Sequence, residues 1–116
     1  MAEKRSAGKL YFAVAFEERQ DLDDGAGNVS SGWVERFQSR AGYIDMRGGE
    51  AVIASRLQGQ HTLVVFVRAS SQSKSVTSDW RIRDNRDGRI FNIRDITITP
   101  DRAWIDFLCQ SGVAEG

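Results

Sequence analysis

The sequence predicts a mostly β domain: a small antiparallel β-barrel or sandwich of about six strands with one short helix. Three observations carry this. Apolar residues alternate with a period of two in several short runs, the pattern of strands with one buried face. Gly, Asn, Asp and Ser cluster between those runs, where turns need them. The 116 residues fit one domain, and a chain of that size buries roughly two thirds of its unfolded surface, enough for a single core.

Residues 1–8 are polar and small and read as an arm, as do residues 111–116. From Leu10 the chain alternates: Leu10, Phe12, Val14 and Phe16 share one face, and Tyr11, Ala13, Ala15 and Glu17 the other. The acidic, then Gly-, Asn- and Ser-rich stretch EERQDLDDGAGNVSSG reads as a long hairpin loop. A second strand covers 33–44, with Trp33, Phe37, Ala41 and Tyr43 on its apolar face and Arg36, Gln38 and Arg40 opposite. Glu35 and Ser39 interrupt the apolar face.

The helical candidate is RGGEAVIASRLQGQ, where residues 51–57 between Gly49 and Gly59 suffice for about two turns. HTLVVFVRA is apolar on both faces and reads as a central strand. SSQSKSVTS reads as a polar loop, DWRIR as a short strand, and DNRDG as a tight turn in which Gly88 takes the left-handed conformation. In RIFNIRDITIT the apolar phase slips, and a bulge near Arg94–Asp95 keeps Phe91, Ile93, Ile96 and Ile98 on the core side. Pro100 and Asp101 turn the chain into a last strand, where Ala103, Ile105, Phe107 and Cys109 alternate with Trp104, Asp106, Leu108 and Gln110.

Composition narrows function. Apolar residues make up 41% and charged residues 28%, an ordinary globular balance rather than that of a disordered chain. No apolar run approaches the ~20 residues that cross a bilayer. The charged start MAEKRSAGK lacks the apolar stretch of a secretory signal, so synthesis in a cytoplasm is expected. The 16 basic and 16 acidic residues cancel, unlike the basic excess of a dedicated nucleic-acid binder. Only Lys4, Lys9 and Lys74 of the basic residues are lysines, and the rest are Arg. Arg favours fixed, planar pairing with carboxylates and is enriched at protein interfaces, so this surface is expected to meet other protein. Cys109 and His61 are each the single residue of their type. An intrachain disulfide and a cysteine metal cluster are therefore excluded, and no phosphate loop, catalytic triad or metal set is visible. No enzyme activity and no cofactor are expected. DLDDGAGN departs from a calcium loop, with Gly25 where the fifth ligand belongs.

The order of these features resembles the head–tail adaptor and head-closure (stopper) proteins of long-tailed phages and phage-derived gene transfer particles. The matching pieces are Asp24–Gly25 with Gly27, then Trp33, then RGGEAVIASRLQ with Gly49 and Glu50. TLVVFVR ending at Arg68 follows, then DGRIFNI from Asp87 to Ile93, and RAWIDFLC. Together they span about residues 8–110. The family often has a proline after the strand ending in Arg, and here SSQSKSVTS stands instead. The resemblance implies a virion protein, made in the host cytoplasm, that forms a ring of six or twelve copies at the head–tail junction. A portal or adaptor ring lies above it and a tail terminator or tail tube protein below, and DNA transits the channel without sequence specificity. The alternative is another small β interaction module, tail-terminator-like or a nucleic-acid-binding barrel, the latter needing a basic face with exposed aromatics.

Three groups of residues are candidates for these contacts. Arg47, Gly48, Gly49, Glu50, Arg56 and Gln58 belong to a glycine-bounded segment long enough to reach the channel or a partner ring. Glu18, Asp21, Asp23 and Asp24, with Glu17 beside them, form an acidic hairpin that suits docking on a basic patch. Arg81, Arg83, Asp84, Arg86, Asp87, Arg89 and Arg94 suit ion pairing between subunits. Trp104, on the face opposite Ile105 and Phe107, suits an interface anchor, whereas Trp33 and Cys109 are expected in the core and His61 at the surface.

Overall fold

The computed structural model describes residues 7–23, 25, 27, 29–45 and 61–111. After a 3-10 turn at Ala7–Lys9 come β1 (Phe12–Asp23), β2 (Val29–Asp45), β3 (His61–Arg68), α1 (Ser71–Lys74), β4 (Arg81–Asp84), β5 (Ile90–Ile98) and β6 (Trp104–Ser111). All strand pairs are antiparallel, and the sheet closes on itself as a barrel in the order β1-β2-β3-β6-β5-β4. Within the barrel, closure removes the two end edges that an open six-strand sheet would offer to other chains.

The period-two readings become the core. Val14 and Phe16 of β1, Val65 and Val67 of β3, Ile82 of β4, Phe91 and Ile93 of β5, and Ile105, Phe107 and Cys109 of β6 are buried together. Phe16 stacks on Phe37 at 4.6 Å and meets Phe107 at 5.2 Å. The β5 bulge falls between Ile93 and Asp95, as the phase slip predicts. It turns Ile96 inward, but Ile98 at the strand end is 48% exposed.

Three local readings are corrected. The stretch read as a long hairpin loop is mostly strand: β1 runs to Asp23 and β2 starts at Val29. Cross-strand pairing along the ladder outweighs the poor strand propensity of its Gly, Ser and Asp residues. The segment read as a polar loop after β3 contains α1, begun by a capping box. Ser70 Oγ accepts from the Ser73 amide at 3.0 Å, and the Ser70 amide donates to Ser73 Oγ at 2.7 Å. This segment delivers Val76 and Trp80 to the core. Third, Trp33 leaves the core face. A register shift pairs Phe16 with Phe37 but Glu17 with Glu35, so Arg36 is an extra residue. Glu35 and Trp33 therefore share the outer face with Glu17 and Arg19, which is why Glu35 interrupts the apolar pattern. The helix expected at residues 51–57 lies outside the described residues.

Beyond the barrel, β1 and β2 continue as a two-stranded ribbon. Glu18 through Asp23 pair with Val34 through Val29. Among the described residues β1 pairs with β4 only up to Glu17, and β2 pairs with β3 only from Gly42 to Asp45.

Candidate assembly surfaces

The outer face of β1, β2 and β4 carries an arginine–carboxylate network. Its centre is Glu17, placed beside Arg81 by strand pairing and only 5% exposed at its side chain. Arg81 Nε donates to Glu17 Oε1 at 2.6 Å, and Arg83 donates to Glu17 Oε2 at 2.5 Å and to Glu35 Oε1 at 2.8 Å. The Arg81 guanidinium also lies over the Trp33 ring, 4.4 Å from its centroid. Arg81 and Arg83, candidates for pairing between subunits, thus have carboxylate partners in their own chain. Glu17 belongs to the barrel wall rather than to the acidic hairpin.

At the opposite end, the β4–β5 turn covers the barrel mouth. Asp84 is fully buried and accepts from the Tyr43 hydroxyl at 2.8 Å and from the Arg86 amide at 2.8 Å. Burial first, then the bond to Asp84, pushes the Tyr43 phenol above its ordinary range. Tyr43 stacks on Phe12 at 4.1 Å. Arg86 lies over Phe12 at 5.1 Å and Arg89 over Phe91 at 4.8 Å. Asp87 shapes the turn by accepting from the Arg89 amide at 2.9 Å, and Gly88 has φ of 78° as its role requires. Arg86, Asp87 and Arg89 are exposed, and Tyr11 beside them is 67% exposed. Asp84 is therefore an internal anchor, and the largely exposed Arg86 guanidinium also approaches its carboxylate at 3.9 Å.

The remaining candidates are scattered. Arg94 is exposed and donates to Gln110 Oε1 at 3.0 Å. Trp104 is half-buried, edge-on to Phe66 at 5.8 Å with Arg68 5.3 Å from its ring. On the ribbon, Glu18 accepts from Arg36 Nε at 2.8 Å, Asp21 is exposed, and Asp23 ends β1. Asp24 and the six residues Arg47, Gly48, Gly49, Glu50, Arg56 and Gln58 lie outside the described residues. His61 is exposed at the start of β3. Cys109 is buried, and burial raises its thiol pKa. Sequence reasoning missed the Tyr43–Asp84 bond. Asp84 sits on the parity of Ile82, which was the available signal.

No helix among the described residues is long and apolar enough to cross a membrane. The fold defines a class: a small closed β-scaffold with a projecting two-stranded ribbon and arginine-rich ends. The model of the phage head completion protein family matches residues 5–112, and the chain belongs to that family. The family is one of structural virion proteins, not a class of enzyme. Solved structures share the fold, among them the following two. Protein SF1141 from Shigella flexneri 2a, solved in solution, is 19% identical with a TM-score of 0.68, over 94% of this chain and 98% of that one. A chain from the virion of a native gene transfer agent particle is 20% identical with a TM-score of 0.58, over 88% of this chain and 94% of that one. No curated protein matches the sequence.

Proposed function

We propose that this chain is one subunit of a ring at the head–tail junction, where it closes the DNA-filled head and docks the tail. The observation that carries the reading is the family match across residues 5–112. The likeness to a chain of a gene transfer agent virion supports it. The physical design agrees. Closure pairs the strands within the barrel, so contacts between copies fall to side chains, turns and the ribbon. A head-to-tail contact between identical subunits then generates a ring when the rotation closes.

In this reading the exposed arginines Arg86, Arg89 and Arg94, with Trp104, contribute to contacts with identical subunits or with the portal-side and tail-side rings. Residues 47–60 are the candidate for the channel or a partner ring. DNA passes without sequence-specific contacts, in keeping with zero net charge by count.

Particles made without this chain test the proposal. Heads that fill with DNA but leak it and fail to gain tails are the expected result. Particles lacking the chain that retain DNA and carry tails would overturn it. Deletion of residues 49–58 tests the loop assignment separately, with loss of DNA retention or of tails expected.

A further inference from the structure

An open groove of about 520 Å³, lined by Lys74, Ile98, Thr99, Pro100 and Arg102, lies at the end of the barrel away from the β4–β5 turn. Strand direction sets its place: β5 leaves that turn at Ile90 and ends at Ile98. Lys74, the last residue of α1, stands on one side, and the turn from β5 to β6 brings Pro100 and Arg102 to the other.

Hydrogen bonds fix both sides. The Lys74 amide donates to the Ser70 carbonyl at 2.9 Å, behind the capping box that begins α1. In the β5–β6 turn, the Thr99 amide donates to the Trp104 carbonyl at 3.0 Å and the Arg102 amide to the Thr99 carbonyl at 2.8 Å. The Asp101 carboxylate is used within this turn, accepting from Thr99 Oγ1 at 2.6 Å and from the Ala103 amide at 3.0 Å. The groove therefore presents a set surface, apolar in the middle and basic at its rim. Ile98 is one of two large hydrophobic residues among the described ones that stand exposed, and Pro100 beside it is exposed too. Lys74 and Arg102 are exposed and have no ion-pair partner among the described residues. Arg102 has φ of 59°, a left-handed conformation that glycine takes more easily than a residue with a side chain.

We infer that this groove docks an acidic segment of another protein of the particle. An apolar residue of the segment covers Ile98 and Pro100, and its carboxylates meet Lys74 and Arg102. A nucleic-acid backbone would pair with the two cations but leave the apolar floor uncovered, so a peptide fits the surface better. A different protein fits better than a second copy. Glu18, Glu35, Asp79, Asp87 and Asp101 each accept a hydrogen bond within their own chain, so the described surface of this chain offers few uncommitted carboxylates. The groove is formed before the partner arrives, which lowers the entropy lost on docking. The inference rests on the ring reading above and names the chemistry by which the ring recognises one neighbour.

A photo-crosslinker placed beside the groove tests this. Thr97 is exposed next to Ile98, and Cys109 is buried and stays unlabelled, so T97C carries a maleimide–diazirine probe at one position. Illumination of assembled particles is expected to join this chain to another virion protein, at an acidic stretch that contains an apolar residue. The same adduct is expected to fall about tenfold when K74E and R102E are added. No adduct, adducts only with a second copy or with DNA, or a yield indifferent to the two charge reversals would overturn the docking and leave the ring reading standing. Tailed, DNA-filled particles formed without the chain would overturn both. R102G separates docking from folding. Glycine suits φ of 59°, so the melting midpoint of R102G is expected to stay level or rise, while the yield of tailed particles falls and R102K retains it. Full yield in R102G, or a yield lost equally in R102K, would overturn the role given to this cation.

Discussion

Tyr43 of β2 and Asp84 of β4 are joined at 2.8 Å across the mouth of the barrel, although their strands are not neighbours in the sheet. The bond ties together the two strands that flank β1 and satisfies one oxygen of a fully buried carboxylate. The Arg86 amide satisfies the other, so the same aspartate holds the β4–β5 turn against the barrel.

Replacing Tyr43 with Phe keeps the ring stacked on Phe12 but removes the donor. A buried acceptor left unsatisfied costs about 1–3 kcal/mol. Urea denaturation of Y43F is expected to show a lower midpoint with an unchanged slope. A midpoint equal to that of the parent chain would show that the bond contributes nothing.

Glu17 offers a contrast between a buried and a surface pair. Its carboxylate is held by Arg81 and Arg83, whose side chains are 13% and 35% exposed. Removing one partner of a buried pair costs about 3–5 kcal/mol, and the solvent around Arg83 reduces this, so E17A is expected to lose about 2–3 kcal/mol. The pair Glu18–Arg36, at 2.8 Å, joins two side chains that are each far more exposed than that of Glu17. E18A is expected to lose less than about 1 kcal/mol. Equal losses in the two variants, read by denaturant titration, would contradict this ordering.

What the sequence revealed, and what it hid, follows from the range of the interactions involved. Alternation in β6 placed Ile105, Phe107 and Cys109 inside because burial on one face acts residue by residue. The β5 bulge was legible because four apolar residues split between two parities. The bulge at Arg36 was not: only Glu35 and Ser39 break the pattern of β2, and Ser39 does so while keeping the inner phase. The ribbon was hidden because its Gly, Ser and Asp residues carry turn signals, and pairing across the ladder decides against them. The arginine cluster was visible, but its partners were not. Glu17 lies 64 residues from Arg81, and only sheet closure brings them together.

Gly42 marks a close approach that its position in β2 did not announce. It pairs with Phe66, and a Cβ built on it would sit 2.2 Å from the Phe66 ring and 2.8 Å from the Lys9 carbonyl oxygen. The ring therefore occupies the space of the missing side chain, beneath the turn at Ala7–Lys9. G42A overpacks the site and is expected to cost about 1–3 kcal/mol. Shortening the ring in G42A/F66L is expected to recover part of the loss, giving a coupling between the two sites in a double-mutant cycle. Strictly additive losses would place the strain elsewhere.

Alkaline pH should unfold the chain through two groups that the barrel keeps neutral. Burial and the bond to Asp84 raise the Tyr43 phenol above its ordinary 10.0, and burial raises the Cys109 thiol above its ordinary 9.0. In the unfolded chain both ionise at their ordinary values, while the folded chain still holds their protons. Above those values the unfolded state binds fewer protons than the native state, so stability falls as pH rises. Below about pH 8 both groups are neutral in either state and their contribution is fully present. Thermal melts between about pH 8 and about pH 10.5 should therefore show a falling midpoint. The fall is expected to be shallower in Y43F and in C109A, each of which removes one ionisation. A slope unchanged in both variants would assign the alkaline loss to other groups.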